Sequence, residues 1–188
     1  MPELLALWHA EHAKFGRLLA IFEREVEAFS EGGEPDYTLM ADIVEYLHGY
    51  GDTYHHPRED IGFRRLVQKD PGSRQIVQRL LQEHRVIAEG GKALLTRLQR
   101  QASGEVMPRS TIEGAAATYL VYYRHHLIKE EGEVLPRVGA CFTEADWQAV
   151  AAELASGVDP LFGNAADARF AALRKEIARA AGSAPAQI

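Results

Sequence analysis

ELLALWHAEHAKFGRLLAIFEREVEAFSE, residues 3–31, decides how the rest of the chain is read. Leu5, Trp8, His12, Phe15, Leu19, Phe22, Val26 and Phe29 succeed one another at alternating steps of three and four. That spacing lines one face of an α-helix. The face is apolar except at His12, which stands where a leucine or phenylalanine is expected. An imidazole buried there without a partner costs about 1–3 kcal/mol. Gly32-Gly33 ends the segment, and Pro35-Asp36 opens the next.

Outward from this stretch the pattern repeats three times. Over residues 36–69, one face carries Val44, Leu47, Gly51, His55, Glu59, Phe63 and Leu66. Pro57 lies inside this segment, deletes the hydrogen bond to the Thr53 carbonyl and predicts a kink. Asp70-Pro71-Gly72 is a turn. Residues 73–102 align Val77, Leu80, His84, Ile87, Gly91, Leu94 and Leu98; residues 109–138 align Ile112, Ala116, Tyr119, Tyr123, His126, Glu130 and Val134. Four long amphipathic segments with short connections predict an all-α fold, an up-down-up-down four-helix bundle over residues 1–140. Residues 141–188 are expected to add two shorter helices packed on the bundle. The first runs from an N-cap at Thr143, with Asp146 three residues on, to about residue 155; a break at 156–160 follows. The second spans about 165–181 and bears Phe170, Leu173 and Ile177, before a disordered tail, GSAPAQI.

Composition bounds the function. The chain has 188 residues, 46% of them apolar and 26% charged, as expected of a soluble globular protein. No apolar run reaches the ~18 residues of a membrane span, and MPELLALWHAEH acquires charge too early for a secretory signal. Cys141 is the single cysteine, which excludes an intrachain disulfide and a thiolate cluster and makes a reducing cytoplasm the default compartment. A net charge of −6 argues against nucleic acid as a partner. The oligomeric state is not readable.

The eight histidines carry the argument. His12 and His84 occupy apolar stripes. His55 and Glu59 are four apart and share a helix face, as do His126 and Glu130. TYHHPRED in the second segment is matched by RHHLIKEE in the fourth, and Glu11-His12 by Glu83-His84, so the chain is two hairpins of related design. Carboxylates on an apolar stripe are costly unless cations neutralise them. Imidazole and carboxylate together suit iron, manganese or zinc. Four histidines and two glutamates exceed one tetrahedral zinc, and two metals bridged by Glu59 and Glu130 fit the count. Glu11 and Glu83 are expected at the surface, and Asp60 and Glu131 toward solvent or an outer partner. His9 is expected partly exposed, and His48 on an access route or in an interhelical hydrogen bond. Tyr123 is a core residue or a donor to a bound ligand.

The ordered set His12, His55 with Glu59, His84, and His126 with Glu130, together with the strings YHHPRED and HHLIKEEGEVLP, resembles the hemerythrin-like, or HHE cation-binding, domain family over about residues 3–138. The resemblance implies a non-heme centre of two iron ions. Oxygen carriers of that family place two histidines four apart on the third helix; here Leu80 and Ala88 stand at those distances from His84. Either one metal keeps an open or water-filled position, or His56 or His125 supplies the missing ligand. His55 and His56 are ~100° apart on an undistorted helix and cannot both face its centre; an alternative pairing sets His125 five before Glu130. The expected function is binding or sensing of O2 or NO, or a response to iron or redox state, in preference to an enzyme. Alternatives are an oxidoreductase consuming peroxide or NO, and a metal-handling module without redox turnover.

Overall fold

The computed structural model describes residues 3–153, 158–163 and 167–182. Among them every regular element is helical, and no strand occurs. The first segment is α1, Glu3–Ser30. It stops where Gly32 turns left-handed, at φ 75°, and the Gly33 N–H reaches back to the Ala28 carbonyl at 2.8 Å, a glycine C-terminal stop. Arg109 donates to the Ala28, Phe29 and Gly33 carbonyls and covers that end.

The second segment is one continuous helical run in three parts: α2, Tyr37–Tyr46; a π-helical stretch, Leu47–His55; and α3, His56–Lys69. Asp36 caps its start by accepting the Leu39 N–H at 2.9 Å. The irregularity expected at Pro57 takes the form of this wide stretch. Its bonds skip one residue further, so that the His56 N–H meets the Gly51 carbonyl. Proline stands at the entrance of α3, where a missing N–H is tolerated. The third segment is α4, Arg74–Ala102. The fourth repeats the design of the second: α5, Arg109–Lys129, a π-helical stretch Glu130–Val134, and α6, Leu135–Cys141, with Pro136 just inside α6.

These four runs pack cyclically into a helical bundle. α1 lies against α2 and α5, α2 against α4, and α4 against α5. The stripe residues form two apolar clusters at different levels. The larger holds Phe15, Leu19, Phe22, Leu47, Ile87, Leu94 and Tyr119; the smaller holds Leu5, Trp8, Phe63, Leu66, Leu80 and Val134. Trp8 meets Phe63 edge-on, with ring centroids 6.4 Å apart. Its indole occupies the space beside Gly62, where a Cβ would come within 2.6 Å of it.

Two shorter helices lie on this bundle. α7, Glu144–Glu153, packs on α3 and opens with the expected reciprocal cap. The Thr143 N–H donates to Asp146 Oδ2 at 2.9 Å, and the Asp146 N–H reaches Thr143 Oγ1 at 3.4 Å. Trp147 extends the smaller apolar cluster. A 3₁₀ turn, Ala168–Phe170, leads into α8, Ala171–Gly182, which rests on α1 and α2 through Phe170 and Leu173. The expected end of α7, residues 156 and 157 of the break after it, the expected start of the last helix, and the tail from residue 183 lie outside the described residues. No described helix is long and apolar enough to cross a membrane.

Candidate metal centre

Between the two apolar clusters lies a layer of polar side chains. His12, His55, His56, Glu59, His84, His126 and Glu130 are all buried, each at most 5% exposed. Phe15 stands edge-on to His55 from one side, and Phe63 faces His84 from the other. One helix contributes His12 and another His84; the two runs containing π-helical stretches contribute the rest.

Each of four imidazoles is held at its outer nitrogen by a carboxylate. His12 Nδ1 is 2.7 Å from Glu131, His55 Nδ1 2.7 Å from Glu11, His84 Nδ1 2.7 Å from Asp60, and His126 Nδ1 3.3 Å from Glu83. A carboxylate only accepts, so each Nδ1 carries the hydrogen and each Nε2 presents a lone pair inward. His12 Nε2 and His55 Nε2 face each other at 2.9 Å. Glu59 lies 3.1 Å from His12 Nε2 and 3.2 Å from His55 Nε2; Glu130 lies 3.1 Å from His84 Nε2 and 3.2 Å from His126 Nε2. Among the described residues both Glu59 oxygens, Glu130 Oε2 and His126 Nε2 nevertheless have no aligned hydrogen bond. The interior is therefore a set of acceptors turned toward one another, with no donor among the four histidine Nε2 atoms in that tautomer. Lone pairs and carboxylates at such distances repel unless protons or metal cations stand between them.

The electrostatics agree. Burial alone would push the His84 imidazole down, but Asp60 and Glu130 at its two nitrogens, with the Glu59 charge, carry it up to about 10. Burial is outweighed likewise at His12, chiefly by Glu59 and Glu131, which leave it well above the ordinary histidine value. For Glu59 the desolvation cost is overcome by His55 and His12, and its carboxyl lies well below the usual range. Without metal, protons on the imidazoles do the neutralising.

His56 behaves differently. Its ring is stacked on that of His84, with centroids 4.2 Å apart. Nδ1 lies 3.0 Å from Asp52, off the line of a hydrogen bond, and neither nitrogen has an aligned partner among the described residues. Burial and the neighbouring His84 charge press its pKa down to about 4, so it is a neutral donor atom at physiological pH. Two triads with ligand atoms within 4.8 Å of one another result: His12, His55 and Glu59 on one side, and His56, His84 and His126 on the other. Glu59, His84 and Glu130 form a third that links them. His55 and His56, adjacent at the end of the π-helical stretch, both reach the buried layer, each on a different side of it.

His125 is corrected. It is exposed on the outer face of α5, one residue and ~100° from buried His126, so the pairing of His125 with Glu130 does not form. Glu11 and Glu83 are corrected too: Glu11 is not at the surface, and Glu83 is only partly exposed and turned to partners across the bundle. Glu11 is fully buried, bonded to His55, to the Tyr50 hydroxyl at 2.6 Å and to Arg58 at 2.8 Å. Glu83 is held by Lys129 and Arg79 as well as His126. His9 shares Glu131 with His12, at 2.7 Å, and half-buried His48 bonds Asp52 at 2.9 Å. Among the described residues the Tyr123 hydroxyl has no hydrogen-bond partner, and it lies beside Gly51, where a Cβ would approach it to 2.9 Å.

A family profile described as the hemerythrin HHE cation-binding domain matches residues 3–138. This chain is a member of the hemerythrin HHE family. The match spans all four bundle runs up to α6 and contains every residue of the polar layer. No curated protein and no solved structure matches significantly. As a hemerythrin-family chain it is a metal-binding helical protein, and its buried acceptors fit that reading: the orphaned oxygens of Glu59 and Glu130 and the inward nitrogens of five histidines are the atoms a cation would engage.

Proposed function

We propose that this hemerythrin-family chain holds two iron ions in an up-down-up-down four-helix bundle over residues 1–140, with residues 141–188 as an extension. Its function is to bind or sense O2 or NO, or to respond to iron and redox state, in the cytoplasm. The observation that carries the proposal is the acceptor-only interior, with His56 completing a three-histidine side. His56 takes the place left by Ala88 on the third helix, so the side with fewer protein donors is that of His12 and His55. Iron bound there would supply the affinity for a diatomic gas. The protein supplies fixed tautomers through Glu131, Glu11, Asp60 and Glu83, carboxylates at Glu59 and Glu130 that would hold the ions, and apolar walls that limit water. Manganese or zinc suits the same donors.

The test is metal quantitation on freshly purified protein, followed by anaerobic loading with Fe(II) and oxygen-electrode titration. Two irons per chain and reversible O2 or NO uptake are expected. One zinc and no iron would overturn the redox reading. A second reading, an oxidoreductase consuming peroxide or NO, has one observation in its favour. A cavity of about 160 Å³, lined by Asp52, His56, Asp60, His84 and Arg85 together with Pro57, Leu81 and Ala88, opens on the three-histidine side, and water occupies only ~30 Å³ in the liquid. Catalytic loss of added peroxide, abolished by Glu59→Ala, would select it.

A further inference from the structure

We propose that the outer face of α5 is a self-association surface, on which two copies of this chain pack antiparallel about a two-fold axis. The inner face of α5 buries Ile112, Ala116, Tyr119, Tyr123 and His126. On the opposite side Gly114, Ala117, Val121, His125 and Ile128 succeed one another at steps of three and four, with no charge among them. Val121 is 65% exposed and Ile128 68%, and exposed Tyr122 with Val86 of α4 widens the patch. A helix apolar on both faces is one that is covered on both. α4 follows the ordinary rule and turns Arg85, Glu89 and Lys92 outward.

A second copy suits this face better than an unrelated partner, because the face is complementary to itself. Its N-terminal half is hollow, at Gly114 and Ala117, and its C-terminal half protrudes, at Val121 and Ile128. A parallel copy would oppose bulk to bulk, whereas an antiparallel one in the register that pairs Glu113 with Arg124 sets Val121 level with the hollow at the partner's Ala117. The edge charges agree. Glu113 and Arg124 lie about three turns apart and within ~20° of one another around the helix. An antiparallel two-fold therefore brings each Glu113 toward the partner's Arg124 edge, and such closed two-fold pairs are the commonest oligomers. Glu23 of α1 already fixes the Arg124 guanidinium on that edge. Grooves of about 640 Å³ toward α1 and about 480 Å³ toward α4 flank the ridge and leave room for the partner's side chains.

Sedimentation of the metal-loaded full chain, from micromolar to submillimolar concentration, is expected to show a dimer. Val121→Asp and Ile128→Asp are expected to yield monomers with helix content and metal content unchanged, since both side chains are exposed. A wild-type monomer throughout, or a dimer indifferent to Val121→Asp, overturns the proposal. Orientation is read separately from spin labels at Ser110→Cys in a Cys141→Ser background. Labels ~25 Å apart are expected for the antiparallel pair, from about seventeen residues at ~1.5 Å each. A separation under ~15 Å would mean parallel helices and would also overturn it.

Discussion

Replacing His56 with leucine separates a metal ligand from a structural residue, because the two roles predict stability changes of opposite sign. In the metal-free protein His56 is buried and neutral, and neither ring nitrogen has an aligned hydrogen bond. Each unsatisfied polar atom costs about 1–3 kcal/mol, and leucine is close to imidazole in size. The loss of the stacking contact with His84, 4.2 Å between centroids, offsets part of the gain. The net expectation is a metal-free variant about 1–3 kcal/mol more stable than its parent. At about 2–4 °C per kcal/mol for a chain of this length, the melting point rises by about 2–12 °C. The same variant should hold one metal firmly and lose the one on the side of His84 and His126. The assay is denaturant unfolding of chelator-treated protein beside metal quantitation of the loaded form. A His56→Leu chain that keeps two metals, or is less stable without them, would refute the reasoning, since a structural residue should be missed when removed.

Four further expectations follow from other contacts. Glu11→Ala frees His55 to turn and leaves Arg58 without its closest carboxylate. Metal affinity on the His12 and His55 side should fall about 10–100-fold, measured by competition with a chelator. The metal-free chain should be most stable near pH ~6.5, the ordinary histidine value. His84 has its folded pKa raised to about 10, so its contribution is present below ~6.5 and fades as pH climbs through 10. His56 is lowered to about 4, so stability also falls as pH drops from ~6.5 through 4. Stability that rose steadily from pH 7 to 10 would contradict this. Metal loading, which must displace those protons, should strengthen with pH over the same upper range and release protons measurable by calorimetry in buffers of different ionisation enthalpy. Gly62→Ala should destabilise by about 1–3 kcal/mol despite alanine's better helix propensity. Its Cβ would fall 2.6 Å from the fully buried Trp8 ring, and thermal melts of both forms decide it.

Much of this arrangement was legible in the sequence because a stripe with steps of three and four is a statement about angle. His12, His55, Glu59, His84, His126 and Glu130 interrupt such stripes, and all six are buried in one layer. The reading failed where the angle itself changes. Nothing in the periodicity announces a helix whose bonds skip an extra residue, so His56 could not be placed from the stripe. The available signal was the proline, since each π-helical stretch ends just ahead of one, Pro57 or Pro136. Glu11 and Glu83 were invisible for a different reason. Each flanks a stripe histidine on its own helix, and what makes burial tolerable comes from elsewhere: Tyr50, His55 and Arg58 for Glu11, and His126 and Lys129 for Glu83. Partners across the bundle are a tertiary property, and a lone carboxylate in a helical pattern is rightly taken for a surface group until they are known.

The position of the polar layer between two separate apolar clusters has a consequence for how the chain handles cations. Each cluster grips the same four rods at its own level, so emptying the middle leaves the assembly clamped from above and below. Loading and unloading are then expected to exchange protons for metal within a standing frame, which the helix content of chelator-treated protein checks.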